Sequence, residues 1–449
     1  MHRSKLRLMI RFFTGLLTGL LSVLLLGQPR LLAQTPPIAP STRNALPRRA
    51  IAPPTVVPTT IDRPNNRPSN QPKLAAPERR GVWLTNIDSD VLFKAAPLKA
   101  AIDTLADLNF NTLYPVVWNF GYTFYPSVVA QRATGFRQAP GLDRDMLAEL
   151  IPQAHAKKLL VIPWFEFGFM APETSDLALN HPDWLTKTRS GETVWLEGGE
   201  PRVWLNPFLP EVQDFITDLV METVAGYDID GIQFDDHFGL PNTFGYDDTT
   251  IALYRQEHAG NVPPSNPENP EWIQWRADKI TDFTTHLVRT IKAQKPKVIF
   301  SLSPNPYDFA YQSSLQDWRT WQQKGLLDEL IIQVYVSSLE SFQSHLRRPE
   351  VQAAARQIPV SIGVLSGLRG KKVPFDRIQR QVQAVRQAGL SGVSFFFYET
   401  LWNVAHESKR DRQAAFRQLF PNPSIGITGQ RSPNSGVNAL ASRSRAAIR

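Results

Sequence analysis

The sequence predicts a (β/α)8 TIM barrel over residues 79–420, on three observations: eight short apolar runs rich in β-branched and aromatic residues, helix-period segments between them, and polar residues gathered where the runs end. The runs are GVWLTN (Gly81 to Asn86), TLYPVVW (Thr112 to Trp118), LLVIPWF (Leu159 to Phe165), GIQFD (Gly231 to Asp235), VIFSLS (Val298 to Ser303), LIIQVYV (Leu330 to Val336), PVSIGV (Pro359 to Val364) and GVSFFFY (Gly392 to Tyr398). Between them, Pro97 to Leu108, Asp143 to Lys157, Pro210 to Ala225, Arg276 to Gln294 and Phe375 to Ala388 repeat apolar residues near i, i+3, i+4 and i+7. Pro97, Pro210 and Pro374 stand where a first helical turn tolerates a missing N–H. A doubly wound open sheet is the structural alternative, and the lack of a glycine-rich phosphate turn after the first run weighs against it.

The ends have a different character. Residues 1–33 join a basic stretch (Arg3, Lys5, Arg7, Arg11) to an apolar run from Phe12 to Gly27, which reads as an export signal cleaved after Ala33. The run is short for a span of ~20 residues, and a retained N-terminal membrane anchor is the alternative. Residues 34–78 hold eleven prolines among Ser, Thr, Asn and Arg, and residues 421–449 repeat that composition; both are expected to be disordered because they cannot bury enough surface to offset ordering. Of the formal +8, residues 1–80 carry +11 and residues 421–449 carry +4, which leaves −7 on the centre of the chain. An acidic centre argues against nucleic acid as partner. The absence of cysteine excludes disulfides, thiolate metal sites and cysteine nucleophiles.

A TIM barrel places its chemistry in the loops at the C-terminal ends of its strands. The first run leads into Asn86, Asp88 and Asp90, the second into Trp118, Asn119 and Tyr122, and the third, past Trp164, into Glu166. The fourth ends in Asp235, Asp236 and His237, the fifth in Ser303 and Asn305, the sixth in Gln333 and Tyr335, the eighth in Tyr398, Glu399 and Trp402. Alternation puts Gln233 and Asp235 on one face, opposite Ile232 and Phe234, so Asp235 should face the barrel axis; the same logic turns Gln333 and Tyr335 inward.

Carboxylates ringed by aromatics and amides, without a phosphate loop or a His-Glu metal motif, fit glycoside chemistry, which needs one carboxyl to protonate the leaving oxygen and another as nucleophile or base. The candidate catalytic residues are Asp235, as nucleophile or base, Glu166 or Asp236, as acid, and Glu399 in reserve. The candidate sugar-binding residues are Trp118, Asn119, Tyr122, Trp164, His237, Asn305, Gln333, Tyr335 and Trp402. Each has a bland counterpart: Asp235 and Asp236 as helix cap and surface charge, Glu166 as a rim salt bridge, His237 as a structural histidine. Asp88 and Asp308 read as loop caps. Hard cations take carboxylates, and Asp235, Asp236 and Glu166 could bridge one, but no ligand loop supports a metal; no metal and no cofactor are expected.

Two connections are long enough to be functional. Gly168 to Leu209 contains HPDWL and VWLEGGEPRVWLNP, whose alternating aromatics predict a small hairpin; Phe238 to Trp275 contains Tyr246, Tyr254 and the Trp272/Trp275 pair. Both are expected to overhang the mouth as walls of a groove for an extended polymer, with tryptophans merely packed on loop surfaces as the equal alternative.

RRGVWLTN (Arg79 to Asn86), LNFNTLYPVVWNFGYTFYPS (Leu108 to Ser127), PWFEFG (Pro163 to Gly168), HPDWL (His181 to Leu185), WLNPFLPEVQDF (Trp204 to Phe215) and YDIDGIQFDDHFGLP (Tyr227 to Pro241) together resemble the glycosyl hydrolase-like family 10 of exported bacterial TIM-barrel proteins. The resemblance implies an envelope glycosidase that cleaves peptidoglycan glycan strands, especially strands stripped of peptide. It maps the family's acidic motif onto Asp230, Gly231, Ile232, Phe234, Asp235, Asp236, His237 and Phe238, and its aromatic-Glu motif onto Trp164, Phe165 and Glu166. The chain lacks the lipidated cysteine common in the family. Strand four also resembles the chitinase DxxDxDxE run, but Gln233 and His237 replace acids there. The expected protein is thus a monomeric, exported glycoside hydrolase of the periplasm or cell envelope, acting on cell-wall polysaccharide; a non-catalytic glycan-binding module is the alternative.

Overall fold

The computed structural model describes residues 77–424; the expected signal, most of the proline-rich linker and the tail beyond Ser424 lie outside the described residues. Eight parallel strands form the barrel: β1 Arg79–Leu84, β2 Thr112–Pro115, β3 in two halves, Leu160–Val161 and Trp164–Phe165, β4 Gly231–Asp235, β5 Ile299–Ser303, β6 Glu329–Gln333, β7 Val360–Leu365 and β8 Gly392–Phe396. The hydrogen-bonded order runs from the first half of β3 through β2, β1, β8, β7, β6, β5 and β4 to the second half of β3. Both ends of that order belong to the same six residues, so the sheet closes on itself. Pro163 explains the split, because it has no N–H to give the ladder. Around it, Ile162 N–H donates to Leu113 O (2.9 Å) and Gln233 N–H to Pro163 O (2.8 Å), so the neighbours on both sides stay attached.

The expected helices are present: α1 Ala95–Asp107, α2 Met146–Ala156, α3 Pro210–Gly226, α4 Pro270–Gln294 and α5 Phe375–Gln387. The fourth begins earlier than its apolar period suggests, because Asn269 caps the N–H groups of Glu271 and Trp272 and Pro270 fits the first turn. This overturns one expectation. Trp272 and Trp275 do not overhang the mouth; they lie in the first turns of α4, stacked at 5.1 Å and buried with Tyr254 in a small apolar cluster of their own. The hairpin expected after β3 is present: Trp195–Glu197 pairs antiparallel with Glu200–Trp204 across Gly198 and Gly199, both at positive φ, as a tight two-residue turn requires.

Along the axis the barrel is filled by a polar chain. Trp83 Nε1 donates to Gln233 Oε1 (2.7 Å), Gln233 Nε2 to Ser301 Oγ (2.9 Å), and Ser301 Oγ and Tyr114 OH to Glu329 Oε2 (2.9 and 3.1 Å). Arg79 meets the same carboxylate at 2.5 Å. Ile232 and Phe234 are fully buried, and Phe234 stacks on Phe238, which meets Phe283 of α4. The linker's last residue belongs to the folded unit: Glu78 pairs with Arg80 and Arg386, and Arg80 also holds Asn422 O (2.6 Å), so the two ends of the described residues are tied to the barrel floor.

Glu329→Ala should cost about 3–5 kcal/mol of unfolding free energy, because it leaves Arg79 buried and unpaired, while Arg79→Met/Glu329→Leu should recover most of that loss. Denaturant titrations of the two variants check this; equal losses would mean that the pair does not carry the effect.

Candidate active site

The barrel brings the ends of six strands together around three carboxylates. Glu166 follows β3 directly and is buried. Its Oε2 accepts from Asn119 Nδ2 (2.7 Å) and from Thr85 Oγ1 (3.5 Å), and Asn119 Nδ2 also donates to Asn86 Oδ1 (2.8 Å). Glu166 is therefore held from the β1 and β2 side. Asp236, just past β4, is held from the other side: Gln333 Nε2, ending β6, donates to Oδ1 (3.0 Å), and Asn305 Nδ2, after β5, to Oδ2 (2.8 Å).

Asp235 sits between them, 3% exposed, with both oxygens taken. Trp164 Nε1 donates to Oδ2 (3.1 Å); the His237 N–H (3.0 Å) and Nδ1 (3.2 Å) donate to Oδ1. His237 Nδ1 is also 2.9 Å from the Glu166 carbonyl oxygen, which can only accept, so Nδ1 carries a proton. Nε2 faces Glu197 Oε1 at 3.1 Å. The close packing needs Gly168 at φ +46, where a Cβ would lie 2.5 Å from His237 O.

The electrostatics follow from burial. Desolvation pushes the Glu166 carboxyl well above the usual carboxylate range, and Asp235 and Asp236 add to this while His237 opposes it. Desolvation likewise pushes Asp235 up to about 7 against the pull of His237. For His237, burial disfavours the cation, but Glu197, Asp235 and Asp236 outweigh it and hold the imidazolium well above the ordinary histidine range. Glu197 is half-buried, and desolvation would raise it, yet His237 and then Arg202 keep it below the usual range. The Tyr335 phenol is raised well above its usual value, first by burial and then by the charges of Asp236, Asp235 and Glu166.

Several candidates from the sequence are not brought to this cluster. Trp118 is fully buried, its Nε1 on Gly168 O (3.1 Å) and its ring on Phe215, and presents no face to a sugar. Trp402 is buried against Tyr398 and Phe416. Tyr122 bonds Asp176 (2.7 Å), away from the acids. Glu399 is bonded to Ser89 and Asn403 and lines a different cavity. Asn119 and Trp164 are buried, so each positions a carboxylate instead of meeting solvent. Asp88 and Asp308 are paired with Arg369 and Arg348.

Two residues were missed. Glu197, the cation's partner, lies on the hairpin, and its place beside the Gly198–Gly199 turn was the available signal. Gln316, which donates to Asp235 O (2.8 Å) and Phe238 O (3.2 Å), had none.

Asp235, Asp236 and His237 offer donor atoms within 4.8 Å of one another, the spacing of a cation site. The histidine does not fit that use, since Nδ1 is protonated and Nε2 points at Glu197. The chemistry of the donor set is that of a proton-sharing chain.

Fold and site define a (β/α)8 protein with a carboxylate-centred mouth. The chain belongs to the glycosyl hydrolase-like 10 family, whose profile matches residues 78–385. The glycosyl hydrolase DigH of Escherichia coli is 27% identical over 292 residues, covering 59% of this chain and 63% of that protein. The glycosyl hydrolase YngK of Bacillus subtilis is 27% identical over 262 residues, covering 53% of this chain and 48% of that protein. The chain thus spans less than two thirds of the length of these relatives. Among solved structures, the glycoside hydrolase domain of PgaB (BpsB) from Bordetella bronchiseptica superposes with a TM-score of 0.58 at 14% identity, covering 76% of this chain and 99% of that one. The α-L-fucosidase isoenzyme 2 of Paenibacillus thiaminolyticus superposes at 0.57 and 16% identity, covering 77% and 49%. At these identities the likeness is one of fold.

A carboxyl held near 7 in the fold keeps a proton that the unfolded chain releases near 4, so its stabilising effect is present below about pH 4 and is lost as pH rises through about 7. Asp235→Asn should therefore flatten the fall in stability between pH 4 and 8 by a few kcal/mol. Unfolding midpoints across that interval check it, and an unchanged slope would count against the buried proton.

Proposed function

We propose that this protein is an exported glycoside hydrolase of the cell envelope that cleaves cell-wall polysaccharide, specifically peptidoglycan strands stripped of their peptides. The observation that carries the reading is the placement of two carboxyls on opposite sides of one mouth, Glu166 held from β1 and β2 and Asp236 from β5 and β6. Family membership and the resemblance of the acidic motif support the substrate class; the basic-then-apolar start of the chain supports export.

Glu166, kept protonated by burial and by its acidic neighbours, donates to the leaving glycosidic oxygen as the C–O bond breaks. Asp236 faces the anomeric carbon from the other side and supplies the attacking electron pair, its own or that of a water it deprotonates. Its two amide donors fix each oxygen. Asp235 carries no free oxygen for that work. With His237 and Glu197 it forms the charge-balanced floor that sets how tightly Glu166 keeps its proton. Tyr335, which ends the sixth strand run beside Gln333 and packs on Phe396, feels the charge of all three acids.

Glu166→Gln and Asp236→Asn should each lower kcat on peptide-free strands by about 10²–10⁴, read by mass analysis of soluble fragments. Wild-type kcat/KM should fall as pH rises through the elevated Glu166 pKa, since the acid works only when protonated. In His237→Asn, which removes a cation that lowers that pKa, the alkaline limb should move to higher pH. Retention of strands without release of fragments by the wild type would replace this reading with that of a glycan-binding module.

A further inference from the structure

A second concavity opens beside the carboxylate cluster. A cavity of about 800 Å³ lies where β7 and β8 end, lined by residues that include Asp88, Arg369, Lys371, Lys372 and Glu399. Its two acids are already committed: Asp88 is paired with Arg369, and Glu399 accepts from Ser89 Oγ (2.7 Å) and Asn403 Nδ2 (3.1 Å). The two lysines have no acidic partner among the described residues. Lys371 is partly buried, and that burial, together with Arg377, draws its pKa below the ordinary lysine value. An anion arriving here would relieve an existing penalty and would not have to displace a formed ion pair.

The lysines sit on a short antiparallel ribbon, Gly367–Leu368 against Lys371–Lys372, whose Leu368 is buried. Their backbone is therefore anchored. The cavity adjoins the acids through β8: the Phe396 ring packs on Tyr335 (5.7 Å) and on Trp164 (6.3 Å), which bonds Asp235, and the next residue, Phe397, lines the cavity. Ser89, bonded to Glu399, follows Thr85 and Asn86 on the loop after β1 that meets Glu166 and Asn119.

We propose that this cavity is a subsite for a sugar bearing a free carboxylate, met by Lys371 and Lys372 while the bond to be cleaved lies over Glu166 and Asp236. The inference rests on the glycan-cleaving reading and deepens it. A peptidoglycan strand without peptide exposes a lactyl carboxylate on alternate sugars. With the peptide attached, the same carbon is an uncharged amide that carries a bulky chain. The subsite thus selects bare strands by charge, a choice that the acidic cluster alone could not make.

The test compares peptide-free strands with the same strands after their carboxyls have been reduced to alcohols, using the wild-type protein, Lys371→Gln/Lys372→Gln and Lys371→Arg/Lys372→Arg. The wild type should show kcat/KM about tenfold or more higher on the carboxylate strand, in keeping with a charge-assisted contact; the glutamine variant should bring that ratio close to one, and the arginine variant should restore it. A wild-type ratio in the glutamine variant overturns the subsite and leaves cleavage standing. If the wild type cleaves neither strand, the proposed function fails and strand retention decides the subsite. A preference for carboxylate strands that the glutamine variant loses then upholds it, and equal retention overturns it.

Discussion

A parallel sheet has two unpaired edges unless its ends meet, and here they meet within residues 160–165. The first half of β3 pairs with β2 and the second with β4, with Pro163 in the gap. In an open sheet the ends of β2 and β4 would lie at opposite edges, and Asn119 could not reach Glu166. Closure puts the residue after β3 beside the loops after β1 and β2, and it sets β4 next to β5 with β6 beyond, so the amides holding Asp236 come from strands on the far side of the mouth. The polar chain along the axis, from Trp83 through Gln233 and Ser301 to Glu329 and Arg79, braces the same ring from inside. Such a chain is unusual where branched aliphatic side chains normally fill a barrel.

Closure also sets the electrostatic problem. Glu166, Asp235, Asp236 and Glu197 gather around the His237 cation, with Arg202 acting on Glu197 as well, and burial desolvates Glu166 and Asp235 most of all. Four ionised carboxylates around one imidazolium would repel one another in a low dielectric. The structure answers unevenly: the histidine favours the ionised form of Glu197, whereas burial pushes Glu166 and Asp235 toward their protonated forms. An uneven distribution of protons among neighbouring carboxyls is what acid-base cleavage of a glycosidic bond requires. The basic cavity next door adds the opposite charge, at a place where an anionic substrate would not meet the acids.

Much of the barrel was legible because burial imposes short-range patterns. Strand runs, helix periods and the inward turn of Asp235 and Gln333 follow from spacings of 2 and 3.6 residues, which any stretch of chain displays by itself. Glu166, Asp235 and Asp236 were visible as acids ending apolar runs. Trp118 misled because it also ends an apolar run, yet its indole finds Gly168 O and a packing partner in Phe215, contacts made by distant residues. The Trp272/Trp275 pair misled in the same way, as its proline-rich approach hid the cap that starts α4.

By itself the sequence determined the fold class, the family and the short list of acids, since each is written in local spacing or in residue type. Only the tertiary structure decided which acids meet, that His237 is a doubly hydrogen-bonded cation between Asp235 and Glu197, that Glu399 stands in another cavity, and that Lys371 and Lys372 have no acidic partner among the described residues. Those outcomes depend on distances between segments tens to hundreds of residues apart, and such distances are set by the closure and packing of the whole barrel.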